Sequence, residues 1–509
     1  MHTYHRWGTN LYVSDYIFNQ SVIGLWRTNM EKNKLIQWGA KFLICGTLLH
    51  GASASALTLN EYLDQVKGDS TAYKGSAEQS EGAQLKSREA DLIFTPKLFA
   101  EARWGYDGKP GNPKMYDEVK SQYYSLGVSQ QFSFGLQTKL SYDMTRTQFE
   151  GLAPTSPINP SKYWDATPKL ELSMPLWANG FGRTAQANEE ALRAQNIAEK
   201  FSSQGQSLNI LAGAEAAYWK LAAWQDVVTI QEQAKQAAQS ILDYVSRKKR
   251  MNLGEEADVL QARALVEART LELQVAQNEY LEAQRMFNKF LNREATAKVE
   301  TLEKVNYKSL EQLAIPAARP GSRADVEATN AQLAAARANA VITLERNRPS
   351  LDIYGNYAMN GRDEEYNEAM KESGKTDQDT AFVGVRFSMP LNIGAASDTK
   401  AGARKAERAA ELNREYAYYA QEIDWTNLTR NLQDARDNLR LLSRIEDAQK
   451  AKLENERVRL RQGRTTTYQV LLFEQDYTTS AISKVKSAAN ILGLQAQIKL
   501  YQASPEGGK

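Results

Sequence analysis

The side chains that most often do chemistry are scarce in this chain, and they are poorly placed for it. All three histidines (His2, His5, His50) and the only cysteine, Cys45, fall within the first 56 of 509 residues. A metal site built on imidazole or thiolate needs several such ligands converging. Ser-His-Asp and Cys-His nucleophiles need a histidine base. Residues 57–509 supply neither, and they cannot form a disulfide. Acidic pairs such as Glu255-Glu256 are common in a chain that is 24% charged, and nothing around them resembles a glycosidase pair. No phosphate-cradling glycine loop followed by Lys-Ser/Thr is present. A formal net charge of +2 leaves no basic footprint for nucleic acid. The expectation is a protein that is not an enzyme, with no catalytic residues, cofactor, metal or nucleic-acid partner.

Two basic clusters remain. Arg247-Lys248-Lys249-Arg250 and Arg457, Arg459, Arg461 and Arg464 crowd the ends of two long periodic stretches, where cations favour the helix C-terminal dipole. Arg461 and Arg464 have a sharper reading as a basic gate, held closed by pairs to Glu454 or Glu456.

The elements that must position these residues show in the prolines. Of 13, eight fall between Pro96 and Pro175, and none falls in 176–315 or 391–504. Both proline-free stretches are rich in good helix formers. Apolar residues recur at coiled-coil spacing: Leu428, Leu432, Ala435, Leu439, Leu442; Thr478, Ile482, Val485, Ala489, Leu492, Ala496; and Leu260, Ala264, Ala268, Leu271, Val275. Each stretch breaks once, at Gly254 and at Gly463, residues suited to ending a helix. The first long helix, about 182 to 251, would span roughly 100 Å at 1.5 Å per residue.

Between the prolines lie four alternating segments: Lys97 to Tyr106, Lys169 to Trp177, Ser350 to Met359 and Phe382 to Leu391. Each is about the length of a membrane-spanning strand. Trp104, Tyr106, Tyr123, Tyr124, Tyr163, Trp164 and Trp177 are expected to form aromatic girdles. The chain also reads as one plan stated twice. Leu172-Ser173-Met174-Pro175-Leu176 matches Phe387-Ser388-Met389-Pro390-Leu391 at an offset of 215. Gly254 matches Gly463 at 209, and Val259-Leu260 matches Val470-Leu471 at 211.

The front of the chain carries export features. Met30, Lys32 and Lys34 begin a basic segment, Phe42 to Leu49 is mostly apolar, and Ala54-Ser55-Ala56 is a small-x-small cleavage pattern. Leu57 is the expected mature start and Met30 the expected initiator. Ile44 before Cys45 argues against a lipid anchor.

This plan resembles the TolC-like outer-membrane efflux protein family over nearly all of residues 57–509. The marks are Leu57-Thr58-Leu59-Asn60-Glu61-Tyr62-Leu63, Pro96 and Pro349 opening strands, and the paired Ser-Met-Pro-Leu motifs with strand-to-helix junctions at Pro175 and Pro390. Trp177-Ala178-Asn179-Gly180-Phe181-Gly182-Arg183 and Ala216-Ala217-Tyr218-Trp219-Lys220-Leu221 complete them. The resemblance implies an α+β membrane protein of two structural repeats. It would form a trimeric β-barrel, with about four strands per protomer, that continues into a long α-helical coiled-coil tunnel. It places the barrel in the bacterial cell outer membrane, in contact with lipid, and the tunnel in the periplasm. Leu253, Gly254, Gly463, Arg464 and Thr465 become the periplasmic tip where an adaptor docks.

Two departures stand out. An extra segment, Leu126 to Gly135 and Leu136 to Thr147, could form another hairpin that lies outside the membrane, folds over the mouth or enlarges the barrel. Gln469 and Leu472 stand where members with an acidic ring carry Asp. The implied partners are a homotrimer, a periplasmic adaptor protein and an inner-membrane pump or ABC transporter. The implied function is passive exit of small molecules in a tripartite efflux system; the same architecture serves type I protein secretion. A structural coiled-coil protein anchored in the outer membrane is the reading from another class. The expected divisions are 1–56 extended N-terminus and signal peptide, 57–95 helical, 96–177 strands with the insertion, 178–291 long helical hairpin and 292–321 linker. The second repeat then runs 322–348 helical, 349–391 strands and 392–503 helical hairpin, with a tail at 504–509.

Overall fold

The computed structural model describes residues 56–109 and 115–501. The export segment through Ser55 and the tail at 504–509 lie outside the described residues.

Two very long helices dominate. After short helices α1 (Leu59–Asp69) and α2 (Thr71–Lys86) and four strands comes α3, Arg183–Arg250, of 68 residues. A five-residue turn leads to α4, Glu256–Phe290. The short α5 (Tyr307–Glu311) and then α6 (Ala324–Arg346) precede the second group of strands, which contains the two-turn α7 (Tyr366–Glu372). Then α8, Ile393–Arg461, runs for 69 residues, turns over five more, and returns as α9, Thr467–Ile498. At 1.5 Å per residue α3 and α8 are each about 100 Å long. Among the described residues no helix is long and apolar enough to cross a membrane.

The seams expected in α8 and α9 are largely buried: Leu428, Leu432, Ala435 and Leu439 on α8, and Thr478, Val485, Leu492 and Ala496 on α9. The seam expected in α4 is not. Leu260, Leu271 and Val275 are 54%, 63% and 53% exposed, while the face one residue round, Val259, Ala262, Ala276, Ala283 and Phe287, packs inward. Two apolar stripes share this helix, and the chain covers only one.

At mid-height the two family-like motifs meet. Thr58 and Glu61 form a capping box that starts α1. Tyr62 then stacks on Phe287 at 4.1 Å between ring centroids and lies 5.6 Å from Tyr218. Tyr62 Oη donates to the Phe287 carbonyl at 3.2 Å, and the Glu303 amide donates to Tyr218 Oη at 3.1 Å. Burial pushes the Tyr218 phenol up to about 12.

The strands form one antiparallel sheet in the order β1 (Lys97–Asp107), β2 (Glu118–Gln131), β3 (Gln137–Glu150), β4 (Lys162–Pro175), β5 (Ser350–Met359), β7 (Asp379–Ser388), with the short β6 (Gly361–Asp363) beside β4. The expected four strands are there, but the fourth begins three residues earlier than read, and β4 starts seven earlier. The extra segment is β2 and β3, full members of the sheet inserted between β1 and β4. The expected four strands plus the extra hairpin make six long strands.

Candidate conduit and its helical tip

Strand alternation sorts the sheet side chains onto two faces, and between the polar rows Gln130–Thr138 and Gln122–Arg146 of the first face the two have opposite character. One cross-strand row on the first face reads Leu98, Val128, Leu140, Leu170, Tyr357 and Ala381. The neighbouring row, on the second face, reads Lys97, Ser129, Lys139, Glu171, Asn356 and Phe382. That second face carries a ladder of charge. Lys169 Nζ lies 2.7 Å from Glu171 and 3.3 Å from Asp143, which also accepts from Ser125 Oγ at 2.6 Å. Lys139 stands over the Phe99 ring and Arg386 over the Tyr354 ring. A hollow of about 540 Å³ lies against this polar face, lined by Lys97, Lys139, Glu171, Asn356 and Arg386 among others.

The aromatic residues expected in girdles divide between the faces. Register puts Trp104, Tyr106, Tyr124 and Trp164 on the apolar face, and Tyr123 and Tyr163 on the polar one. Towards the end of the sheet away from the long helices, α7 covers part of the apolar face. Ala369 packs fully buried against Met144 and Ala166, and Tyr366 meets Trp164 edge to face at 5.4 Å. Gly361 permits this approach, since a Cβ there would meet the Ala369 carbonyl oxygen at 2.1 Å.

Pro175 and Pro390 sit where the strands hand over to α3 and α8. Pro175 ends β4, and Pro390 falls between β7 and the Asn392 cap, whose side chain accepts from the Ala395 amide at 3.0 Å. The first junction is more elaborate. Asn179, Phe181 and Gly182 all take left-handed φ. Glu345, reaching over from α6 with a side chain 4% exposed, accepts from the Asn179 amide at 3.1 Å and from Arg348 at 2.7 Å, with Arg183 at 3.5 Å. The turn of the inserted hairpin presses on Gly182, where a Cβ would meet the Ser133 carbonyl oxygen at 2.1 Å. Gln186 donates to that same oxygen at 2.8 Å. Glu345 carries no signal in the sequence, because a lone Glu at a helix end looks like any solvated charge.

At the opposite ends of the long helices the two turns are built alike. Arg464 N donates to the Arg459 carbonyl at 2.9 Å, and Leu253 N donates to the Lys248 carbonyl at 2.9 Å. In both, the residue before that donor is left-handed: Gly463 at φ 69° and Asn252 at φ 56°. The counterpart of Gly463 is therefore Asn252, not Gly254. That restores the offset of 211 shared with Val259 and Val470. Asn reaches the left-handed region because its short polar side chain can bond locally. Gly254 instead sits close to Lys248, whose Cβ would lie 3.2 Å from an added Cβ.

Leu253, Arg461, Gly463 and Arg464 are exposed on these turns. Thr465 is half-buried, its hydroxyl bonded to the buried Glu456 carboxylate, which also holds Arg459 at 3.2 Å. Arg457 reaches across to Glu474 of α9 at 2.6 Å, and Lys249 pairs with Glu256. Among the described residues, Arg461 and Arg464 pair with neither Glu454 nor Glu456 within one chain. Gln469 donates its amide to the Thr466 cap, and Leu472 is 39% exposed. Among the described residues no cluster of His, Cys, Asp or Glu is arranged to hold a metal.

Solved structures share this overall fold. The CmeC outer membrane channel of Campylobacter jejuni matches at 14% identity, with TM-score 0.59, over 87% of this chain and 85% of its own. The VceC outer membrane protein of Vibrio cholerae matches at 15% identity, with TM-score 0.61, over 88% and 97%. The MtrE outer membrane channel of Neisseria gonorrhoeae, in its open state, matches at 16% identity, with TM-score 0.58, over 87% and 88%. The chain has the outer-membrane channel fold. No family model matches the sequence, and no curated protein matches it. Within the channel fold, the charged sheet face and the basic turns stand about one long-helix length apart.

Proposed function

We propose that three copies of this chain form an outer-membrane exit duct that passively conducts small molecules. The sheets would close into a β-barrel in the outer membrane, and the two helical repeats would form a tunnel through the periplasm. The observation that carries this reading is the two-faced sheet. Its unbroken apolar rows suit lipid, and its charged rows suit a water-filled lumen. A single chain cannot complete such a wall, because both sheet edges would be left in hydrocarbon. The uncovered stripe of Leu260, Leu271 and Val275 supports the same assembly, since a coiled-coil seam exposed on one copy suits burial against the next.

In this reading Leu253, Gly254, Gly463, Arg464 and Thr465 form the periplasmic tip that meets an adaptor, and Arg461 and Arg464 ring the entrance. An inner-membrane pump or ABC transporter supplies the energy. Purified protein in a planar lipid bilayer should give discrete channels, and replacing Arg461 and Arg464 with Ser should raise their conductance. Absence of any channel from folded trimers would favour a structural protein. Photo-crosslinking from position 464 in cells should capture a periplasmic adaptor. That adaptor's own pump then separates efflux from type I secretion.

A further inference from the structure

From the sheet pairing we infer that the inserted hairpin β2–β3 is part of the membrane wall, so that three copies close a barrel of eighteen strands. This rests on the duct reading above and specifies its pore.

Three observations carry it. The first is pairing. β2 is matched to β1 over 11 residues and to β3 over 14, and β3 is matched to β4 over 12, whereas β4 and β5 share only 7. A flap folded over the mouth would be the weakly paired part; here it is the most continuously paired. The second is facing. The apolar row from Leu98 to Ala381 passes through Val128 and Leu140 without a polar interruption, and the charged row beside it passes through Ser129 and Lys139. The hairpin is thus in phase with both faces of the sheet, and a slip of one residue would reverse this. The third is height. The hairpin turn touches Gly182 at the strand-to-helix junction, and its strands run 14 residues from there, beyond the roughly 9–11 needed to span a bilayer.

Strand direction fixes how copies join. Six strands alternating up and down leave β1 and β7 pointing opposite ways. Placing β7 of one copy beside β1 of the next keeps every neighbour antiparallel round the ring. The two free edges are 11 and 10 residues long, and both carry strongly exposed apolar side chains, Leu98 at 75% and Val383 at 82%. Barrel diameter grows roughly linearly with strand number, so this wall is about half as wide again as one of twelve strands at equal tilt. The wall thereby becomes wider than the four-strand plan allows, while the helical part keeps its four long segments per chain.

The test uses the full chain with Cys45→Ser and single cysteines Val128→Cys, Leu140→Cys or Val383→Cys, labelled with bimane and reconstituted as trimers. The vesicles are phosphatidylcholine carrying a nitroxide on the acyl chain. Quenching at 128 and 140 within about twofold of that at 383 is the expected result. Quenching at 383 alone places the hairpin outside the bilayer and overturns the eighteen-strand wall, while leaving the duct intact. No quenching at any of the three removes the membrane sheet, and the duct reading with it. Images of the trimer down its axis should count eighteen strands, and a count of twelve overturns the inference.

Discussion

The two halves of the chain agree in their helices and differ in their strands. α3 and α8 have 68 and 69 residues, α4 and α9 have 35 and 32, and both turns between them use the same hydrogen bond and the same left-handed position. In the sheet, four long strands from the first half face two from the second, which adds β6 and α7 instead. Helices packed along about 100 Å of shared seam cannot change length without shifting every contact below. A sheet is more permissive. Inserting one whole hairpin preserves alternation, faces and edge direction, so only the junction that receives its turn has to adapt. That junction is the elaborate one.

The largest expected effect tests this adaptation. Gly182→Val puts a branched side chain at a left-handed φ and against the Ser133 carbonyl, and should cost about 3 kcal/mol or more. Gly394→Ala, in the open first turn of α8, should be neutral or stabilising by up to about 1 kcal/mol. Thermal or denaturant unfolding of the purified protein reads both, and equal costs would erase the contrast between the junctions. Next, Glu345→Ala strands the Asn179 amide and releases two part-exposed arginines to water, with an expected loss of about 1–3 kcal/mol. Asn392→Ala removes only a cap, about 1 kcal/mol.

The mid-height core extends the comparison to pH. Tyr62, Tyr218 and Phe287 all belong to the first half. The Tyr218 phenol is raised above an ordinary value near 10. Its contribution is therefore fully present below about pH 10 and is lost as pH rises towards about 12. Tyr218 alone should lower stability by up to about 1.4 kcal/mol per pH unit across that window, and the Tyr62 and Tyr307 phenols, also raised by burial, add to the fall. Tyr218→Phe should flatten part of this slope; an unchanged slope would place the titration elsewhere. The smallest effects compare the tips. Gly463→Ala and Asn252→Ala should each cost about 1 kcal/mol, and Asn252→Gly should change stability by no more than about 0.5 kcal/mol. If Asn252→Ala proves neutral, the equivalence of the turns fails.

Much of this architecture is legible in the residues. Proline-free stretches mark the helices, because proline removes a donor and clashes in a helix interior. Tyr62 and Tyr218 stand in the quoted motifs and meet in the core. The errors have physical causes. Gly254 reads as the helix-ending residue because glycine is the usual left-handed one, whereas the left-handed position falls to Asn252, a residue type that also tolerates it. Leu260, Leu271 and Val275 follow a coiled-coil spacing, but spacing does not say whether the seam closes within one chain or between chains. Alternation revealed the strand β3 without saying where it inserts, since a sheet position depends on pairing that is distant in sequence. Glu345 was invisible for the same reason: its three partners come from β4's far side and its own helix end, and only folding brings them to one carboxylate.

The open edges of the sheet have a consequence for how the molecule is made. A single copy exposes two unpaired strands, and a pair of copies joined edge to edge still exposes two. In the proposed trimer, only arrival of the third copy removes both at once. Assembly of the proposed trimer is then steeply concentration-dependent, and a copy waiting for its partners is the form most open to mispairing and aggregation. A cell that makes this chain in excess, or delivers it slowly to the membrane, accumulates that waiting form. If the duct reading holds, assembly factors that shield strand edges in transit would act here, before any cargo is carried.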